Sequence, residues 1–331
     1  MKHLHANSLC CVSKVIRFGR RRRQCISCLK TWRIRPKRRG RKRKREGVDL
    51  AIRYLTHTIP PVSTLARALG RPVSTAKCRL ARSLAVFLRR TAWPAVPATV
   101  QLIAVADAWT KKPRERYHTW YGIFLRPASS NQATIMPLTH LPGRESTAGW
   151  QAAFAKLPKD VLEQIAALVA DGHLGLVNEA KRRNWLLQRC HFHLIAAIQG
   201  RRSRWHAGRH RREGEYLFRL VSKILSTTDR AGLTKLIDEL EVISWQTKST
   251  QLRRVLSGFI SHVDDYHTYL KHPELHLPRT SNTAEAFFSL MERLCQRARG
   301  FSGIASLDRW ITAAVKHRRV ITCNGSTNQI S

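Results

Sequence analysis

The sequence holds no apolar run of about eighteen residues, which excludes a helix that crosses a membrane. It has no apolar N-terminal segment of the secretory type, so a cytoplasmic chain is expected. No internal repeat of convincing period is present. Acidic residues are scarce: 21 Asp plus Glu stand against 60 Lys plus Arg, a formal net charge of +39 over 331 residues. Such an excess of cations points to a polyanionic partner, most simply nucleic acid. An anionic membrane surface fits less well, because no basic amphipathic helix dominates. The chain does have enough apolar residues, 43%, to build a sizeable core, which excludes disorder throughout. Its length suits one large domain or two to three smaller ones. Eight cysteines in a chain without a secretory segment read as free thiols or metal ligands rather than disulfides.

The charge is uneven. Residues 1–47 carry eighteen Lys/Arg and a single acidic residue, Glu46. The densest part, 35–47, contains Arg41, Arg43 and Arg45 with no apolar residue between them. It cannot pack, and it reads as a solvated arm that meets phosphates. Ahead of it, residues 1–34 read as a small zinc ribbon. Cys25-Ile-Ser-Cys28 is a good zinc knuckle, and thirteen residues separate Cys11 from Cys25. Val15–Gly19 would be the first ribbon strand and Leu29–Arg33 the return. The first knuckle departs from the pattern, since Cys10 and Cys11 are adjacent and Ser8 stands where a cysteine would fall; His5 is a substitute ligand. The alternative is a ribbon without metal. Cys78, Cys295 and Cys323 read as ordinary thiols.

Residues 48–91 read as three helices, with Pro60-Pro61 as a stop, Ser63 and Ser74 as N-caps and Gly70 as an inter-helix turn. Helix, glycine turn and helix is the layout of a helix-turn-helix, and Lys77, Arg79 and Arg82 on the last helix suit a major groove. A plain three-helix bundle fits the same pattern. After a Pro-rich linker the periodicity changes. Gln101–Ala106, Tyr117–Leu125 and Gln132–Leu138 read as strands, Ser146–Leu157 as a helix, Ile165–Ala170 as a buried strand, Leu174–Arg183 as a helix and Leu186–Phe192 as a strand. That is the order of an RNase H-like α/β domain, 101–193 plus 280–320. Residues 194–279 read as an all-α insertion, with helices at Tyr216–Leu225, Ala231–Leu240 and Leu252–Leu270. Helices Thr283–Arg297 and Ser306–Arg318 follow. Arg201–Trp205 and Arg209–Arg212 make a second basic stretch, either a DNA contact with a stacking Trp or a solvated face.

Three acids could do chemistry. Asp107 and Asp171 each follow an apolar strand run, and Glu285 lies one turn into a helix. An Asp there is often only a turn residue. Two at the ends of neighbouring strands, in a nucleic-acid-binding chain, favour a carboxylate cluster. Oxygen ligands of this kind suit Mg²⁺ or Mn²⁺, and two such ions about 3.5–4 Å apart activate a nucleophile and stabilise a leaving oxygen in phosphoryl transfer.

These residues carry a resemblance. Asp107 and Asp171, then Cys190-His-Phe-His193 as Cys/Asp-x-x-His, then Thr280-Ser-Asn-Thr-Ala-Glu285 as Asn-x-x-Glu, followed by Arg299-Gly-Phe, occur in the order seen in one group of enzymes. Over about residues 10–320 the chain resembles bacterial insertion-sequence DDE transposases with an all-α insertion, relatives of the Mutator-like elements. The 113 residues between Asp171 and Glu285 leave room for the insertion. The resemblance implies binding to the double-stranded terminal inverted repeats of a mobile element, metal-dependent strand cleavage and transfer into target DNA. It also implies a homo-oligomer on DNA and a nucleoid-associated protein in a bacterium. Asp107 and Asp171 would bridge two ions and Glu285 would hold one. Cys190 and His193 would support the site or pack beneath the insertion, and Asn282 would cap the helix from Thr283 and orient Glu285. The rivals are a non-catalytic DNA-binding regulator or inactivated transposase, and a nuclease of RNA–DNA hybrids.

Overall fold

The computed structural model describes residues 15–18, 22–33, 47–56, 61–96, 101–202, 211–247, 249–298, 301 and 303–323. The chain divides into two units, Met1–Arg45 and Glu46–Ser331.

In the first unit β1 (Val15–Arg17), β2 (Arg22–Cys25) and β3 (Thr31–Arg33) form an antiparallel meander. The middle strand was not expected; its Arg-Arg-Gln-Cys sequence has no apolar alternation to announce it. A tight turn after β2 is closed by Leu29 N–H donating to Cys25 O at 3.0 Å. Cys25 is buried. Cys28 is disulfide-bonded, which corrects the expectation of a free thiol or metal ligand at that position. His5, Cys10, Cys11 and the arm with Arg41, Arg43 and Arg45 lie outside the described residues.

The second unit opens with α1 (Asp49–Leu55), α2 (Val62–Ala68) and α3 (Val73–Arg90). Ser63 and Ser74 are not caps. Each helix begins earlier, behind Pro61 and Pro72, whose ψ values of 151° and 148° keep them extended. Proline fixes φ in a range a helix entry accepts, so it starts the helix without a side-chain bond. Gly70 turns between α2 and α3 with φ +55°.

The sheet is mixed, and this part of the chain is α/β. Its strands are β4 (Leu102–Lys111), β5 (His118–Pro127), β6 (Gln132–Ile135), β7 (Thr139–Pro142), β8 (Ile165–Ala170), β9 (Leu186–Arg189) and β10 (Val320–Thr322). The order is β10-β6-β5-β4-β8-β9, with β7 pairing β5. β4 and β5 are antiparallel over ten residue pairs, and β8 and β9 run parallel to β4. β7 and the edge strand β10 were not expected. Asp107 does not end its strand: β4 runs on to Lys111 because β5 pairs it along the whole length. The strand expected through Phe192 stops at Arg189.

Residues alternate across β4. Leu102, Ala104 and Ala106 pack against α4 (Thr147–Phe154) and α6 (Leu174–Arg182) through Trp150, Phe154 and Leu176. Ile103 and Val105 face the core built with α13 (Asn282–Ala298) and α14 (Ile304–Arg318), which includes Phe287, Met291 and Trp310. A short α5 (Lys159–Glu163) precedes β8. Between β9 and α13 lie α7 (His191–Arg202), α8 (Arg211–Ser226), α9 (Arg230–Gln246), α10 (Thr250–Ile260), α11 (Val263–Tyr266) and α12 (Thr268–Lys271). Helices α7 to α10 close over a core of their own around Ile198, Val221, Leu240 and Phe259. The single helix expected over Leu252–Leu270 is three. The chain turns at Ser261 and His262, and Tyr266 packs edge-on to Phe259 at 5.0 Å. Among the described residues, no helix is long and apolar enough to cross a membrane.

Candidate active site

Strand parity places the first two acids. Asp107 continues the row of Ile103 and Val105, and Asp171 continues the row of Ala167 and Val169, which belong to the same core. The parallel register pairs Val105 with Val169. Carried two residues further, it sets Asp107 beside Asp171, both on the face that α13 covers. Asp171 is fixed by a local turn: its Oδ1 accepts the His173 N–H at 2.8 Å, around Gly172 at φ +90°.

α13 supplies the third acid, and it lies close to the strand because Gly122 lets it. Gly122 sits opposite Asp107 on β5, and a Cβ there would stand 2.9 Å from Phe288 Cζ. Along α13 the stripe Glu285, Phe288 and Glu292 meets the β4 stripe Asp107, Trp109 and Lys111. Trp109 and Phe288 stack at 6.4 Å with an 11° interplanar angle, and Lys111 pairs with Glu292.

The electrostatics follow from this crowding. Burial pushes the Asp107 carboxyl up to about 7, and the charges of Asp171 and Glu285 push the same way. The Ala108 N–H, 2.8 Å from Asp107 Oδ1, and nearby His193 oppose the rise. Glu285 is also raised by burial, against His193 and the Ser281 hydroxyl. His193 is pushed up to about 9, first by the Cys190 sulfur and then by Asp107 and Asp171, against burial. Three acids and one imidazole therefore share one poorly solvated spot.

The Cys190-His-Phe-His193 segment is a strand-to-helix junction. Cys190 N–H donates to Ala170 O at 2.7 Å, and His191 N–H donates to Arg279 O at 2.9 Å, which ties β9 to the segment before α13. His193 thus stands on the first turn of α7. Its Nδ1 is buried without a hydrogen bond, and its nearest carboxylate is Glu285 Oε1 at 3.9 Å. Ligand atoms of Cys190, His193 and Glu285 lie within 4.8 Å of one another. The Cys190 sulfur, however, already faces two donors, Ser281 N–H at 3.2 Å and Ser281 Oγ at 3.3 Å.

Asn282 does not cap α13. It is exposed in the first turn, and the carbonyl of the fully buried Ser281 takes the cap position, accepting from Glu285 N–H at 3.2 Å. Sequence reasoning missed Ser281, and it missed Glu145. The Glu145 carboxyl is raised by burial and feels Asp171, His173 and His193; it accepts the Trp150 indole N–H at 2.7 Å. A Glu immediately before the helix-capping Ser146 was the available signal. Lys77, Arg79 and Arg82 lie on α3: Lys77 and Arg82 are exposed, and Arg79 is half-buried. The Arg201–Arg212 basic stretch falls largely outside the described residues.

The family model described as Transposase, Mutator family, matches residues 132–319. No curated protein matches the chain.

Proposed function

Since the chain belongs to the Mutator family of transposases, we propose that it is a DDE-type enzyme that cuts and joins DNA at Asp107, Asp171 and Glu285. One observation carries this reading: the β4–β8 register and the close seating of α13 at Gly122 gather Asp107, Asp171 and Glu285 near enough for the charges of the other two to act on Asp107. The sheet order, with β4 central and β8 and β9 parallel to it, supports an RNase H-like reading of the domain.

The donor set fits Mg²⁺ or Mn²⁺, because carboxylate oxygens are hard ligands and three carboxylates gather here. Asp107, Asp171 and Glu285 would hold them. When bound, the ions supply Lewis-acid activation of an oxygen nucleophile and stabilise the leaving oxygen. The protein's own part is placement. Asp171 is locked by its turn, Asp107 by the Ala108 N–H, and Glu285 by Ser281 on a helix seated through Gly122. His193 offsets part of the trio's negative charge. We read Cys190 as a positioning residue rather than a zinc ligand, since its sulfur is already engaged.

α2, the Gly70 turn and α3, with Lys77 and Arg82 exposed, support a helix-turn-helix that reads the terminal inverted repeats. The arm with Arg41, Arg43 and Arg45 adds phosphate contacts. A zinc ribbon at Cys11, Cys25 and Cys28 belongs to the same reading for the reduced protein. Processing two ends together calls for a homo-oligomer on DNA. The test is Asp107→Asn in full-length protein on end-bearing DNA. Cleavage and strand transfer should vanish while end binding persists; unchanged transposition would remove the catalytic assignment and leave the regulator reading.

A further inference from the structure

A cleft of about 700 Å³ opens at the far end of the stripe that joins β4 to α13. It lies four residues beyond Asp107 on β4, about 13 Å away at the rise of an extended strand. Lys112, Arg116 and His118 line it together with Phe301, Ile304 and Leu307. Lys112 is paired with Glu115, whereas the exposed Arg116 has no acidic partner among the described residues.

His118 is held from behind. Its Nδ1 lies 3.0 Å from His140 Nε2, and His140 Nδ1 lies 3.0 Å from Asp308 Oδ2. Trp120 Nε1 donates to the other oxygen of Asp308 at 2.6 Å. The Asp308 carboxylate accepts, so His140 Nδ1 carries a proton; burial pushes the His140 pKa down, which leaves its Nε2 bare to accept from His118. That leaves His118 Nε2 outside the chain of bonds, on a ring whose orientation is fixed.

Lysine and arginine side chains lining the same cleft as apolar ones, with one aromatic ring among them, match the two halves of a nucleotide: a phosphodiester and a base face. A duplex keeps its bases stacked inside and offers such a cleft only its phosphates. We propose that this cleft binds an unpaired stretch of a DNA strand, with phosphate on Arg116 and Lys112 and a base against Phe301. The choice of DNA as occupant rests on the proposed function; the pairing of chemistries does not.

The test is photocrosslinking of full-length protein to a short oligothymidine carrying 5-iododeoxyuridine, with crosslinked peptides identified by mass spectrometry. Crosslinks are expected in the peptide that contains Phe301. Arg116→Glu should reduce them about tenfold without altering those elsewhere, and Phe301→Ala should do the same. Thermal melting confirms that each variant is folded. A duplex of the same length should compete poorly. Absence of crosslinks at Phe301, insensitivity to both substitutions, or equal competition by duplex would overturn the proposal. Asp107→Asn protein separates the two readings. If it crosslinks like the wild type, the cleft stands whatever the fate of the catalytic assignment. If DNA is cut by the wild type but never crosslinks here, only the cleft is lost.

Discussion

Ser281 and Cys190, 91 residues apart in sequence, meet where the end of β9 touches the start of α13. The Ser281 N–H donates to the Cys190 sulfur, and its hydroxyl lies 3.3 Å from that sulfur and 3.4 Å from Glu285 Oε1. One hydroxyl proton serves one acceptor at a time, so Ser281 couples the cysteine to the acid. Ser281→Ala keeps the backbone bond and removes the hydroxyl. A lost hydrogen bond of about 1 kcal/mol at a positioned acid corresponds to roughly five- to tenfold in rate. DNA cleavage should fall by that much, with end binding and melting temperature nearly unchanged. Cleavage at the wild-type rate would show that Ser281 does not orient Glu285.

Gly122 gives a second handle on the same helix. An added methyl would stand 2.9 Å from Phe288 and 3.0 Å from Phe124, inside a packed core. Gly122→Ala should cost about 1–3 kcal/mol through overpacking and move Glu285 with α13. Combining it with Phe288→Leu should recover part of both losses. The measurement is thermal denaturation beside a cleavage assay; a Gly122→Ala protein that melts and cuts like wild type would mean that α13 is not seated by this contact.

Much of the site could be read along the chain because apolar runs announce strands. Ile103-Ala-Val-Ala and Ala167-Leu-Val-Ala stop at Asp107 and Asp171, and two-residue alternation puts both acids on one face. The end of β4 was misread for a physical reason. Ala108–Lys111 have no turn residue, yet nothing local says that β5 extends the pairing past Asp107. Ser63 and Ser74 misled in the opposite way, since a serine favours a cap only where no proline fixes the entry first. Ser281, Gly122 and Glu145 act through contacts between distant segments, and no local spacing encodes those.

A buried acid held near 7 destabilises the protein that carries it. The folded carboxyl of Asp107 titrates at about 7 and an unfolded one near 4, so the folded state binds more protons between these values. Stability attributable to Asp107 therefore falls as pH rises through that window and stays low above it. Asp107→Asn should raise metal-free stability at pH 8 by roughly 2–4 kcal/mol while abolishing cleavage. Mn²⁺ should stabilise the wild type, by about 2.7 kcal/mol at a hundred times its dissociation constant, and leave the variant unmoved. Melting curves of both proteins, with Mn²⁺ or with chelator, read all of this. Equal stability of the two chelated proteins would show that Asp107 carries no such strain.

A buried His191 makes the fold sensitive to acid. It is 4% exposed, and its Nε2 lies 2.8 Å from the carbonyl of Tyr266, joining the start of α7 to α11. Burial pushes its pKa down to about 4, with His267 and Arg279 adding repulsion and the Tyr266 carbonyl pulling the other way. An unfolded histidine titrates near 6.5, so between about 6.5 and 4 the unfolded chain binds the extra proton. The contribution of neutral His191 is complete above that window and is lost progressively as pH falls through it. The loss amounts to roughly 3 kcal/mol by pH 4. Unfolding free energy should decline across this range, and His191→Gln, which cannot take up a proton, should be less stable at pH 8 yet decline less steeply below 6.5. Denaturant titrations at a series of pH values measure the slope. A variant with the same slope as the wild type would mean that other groups set the acid limit.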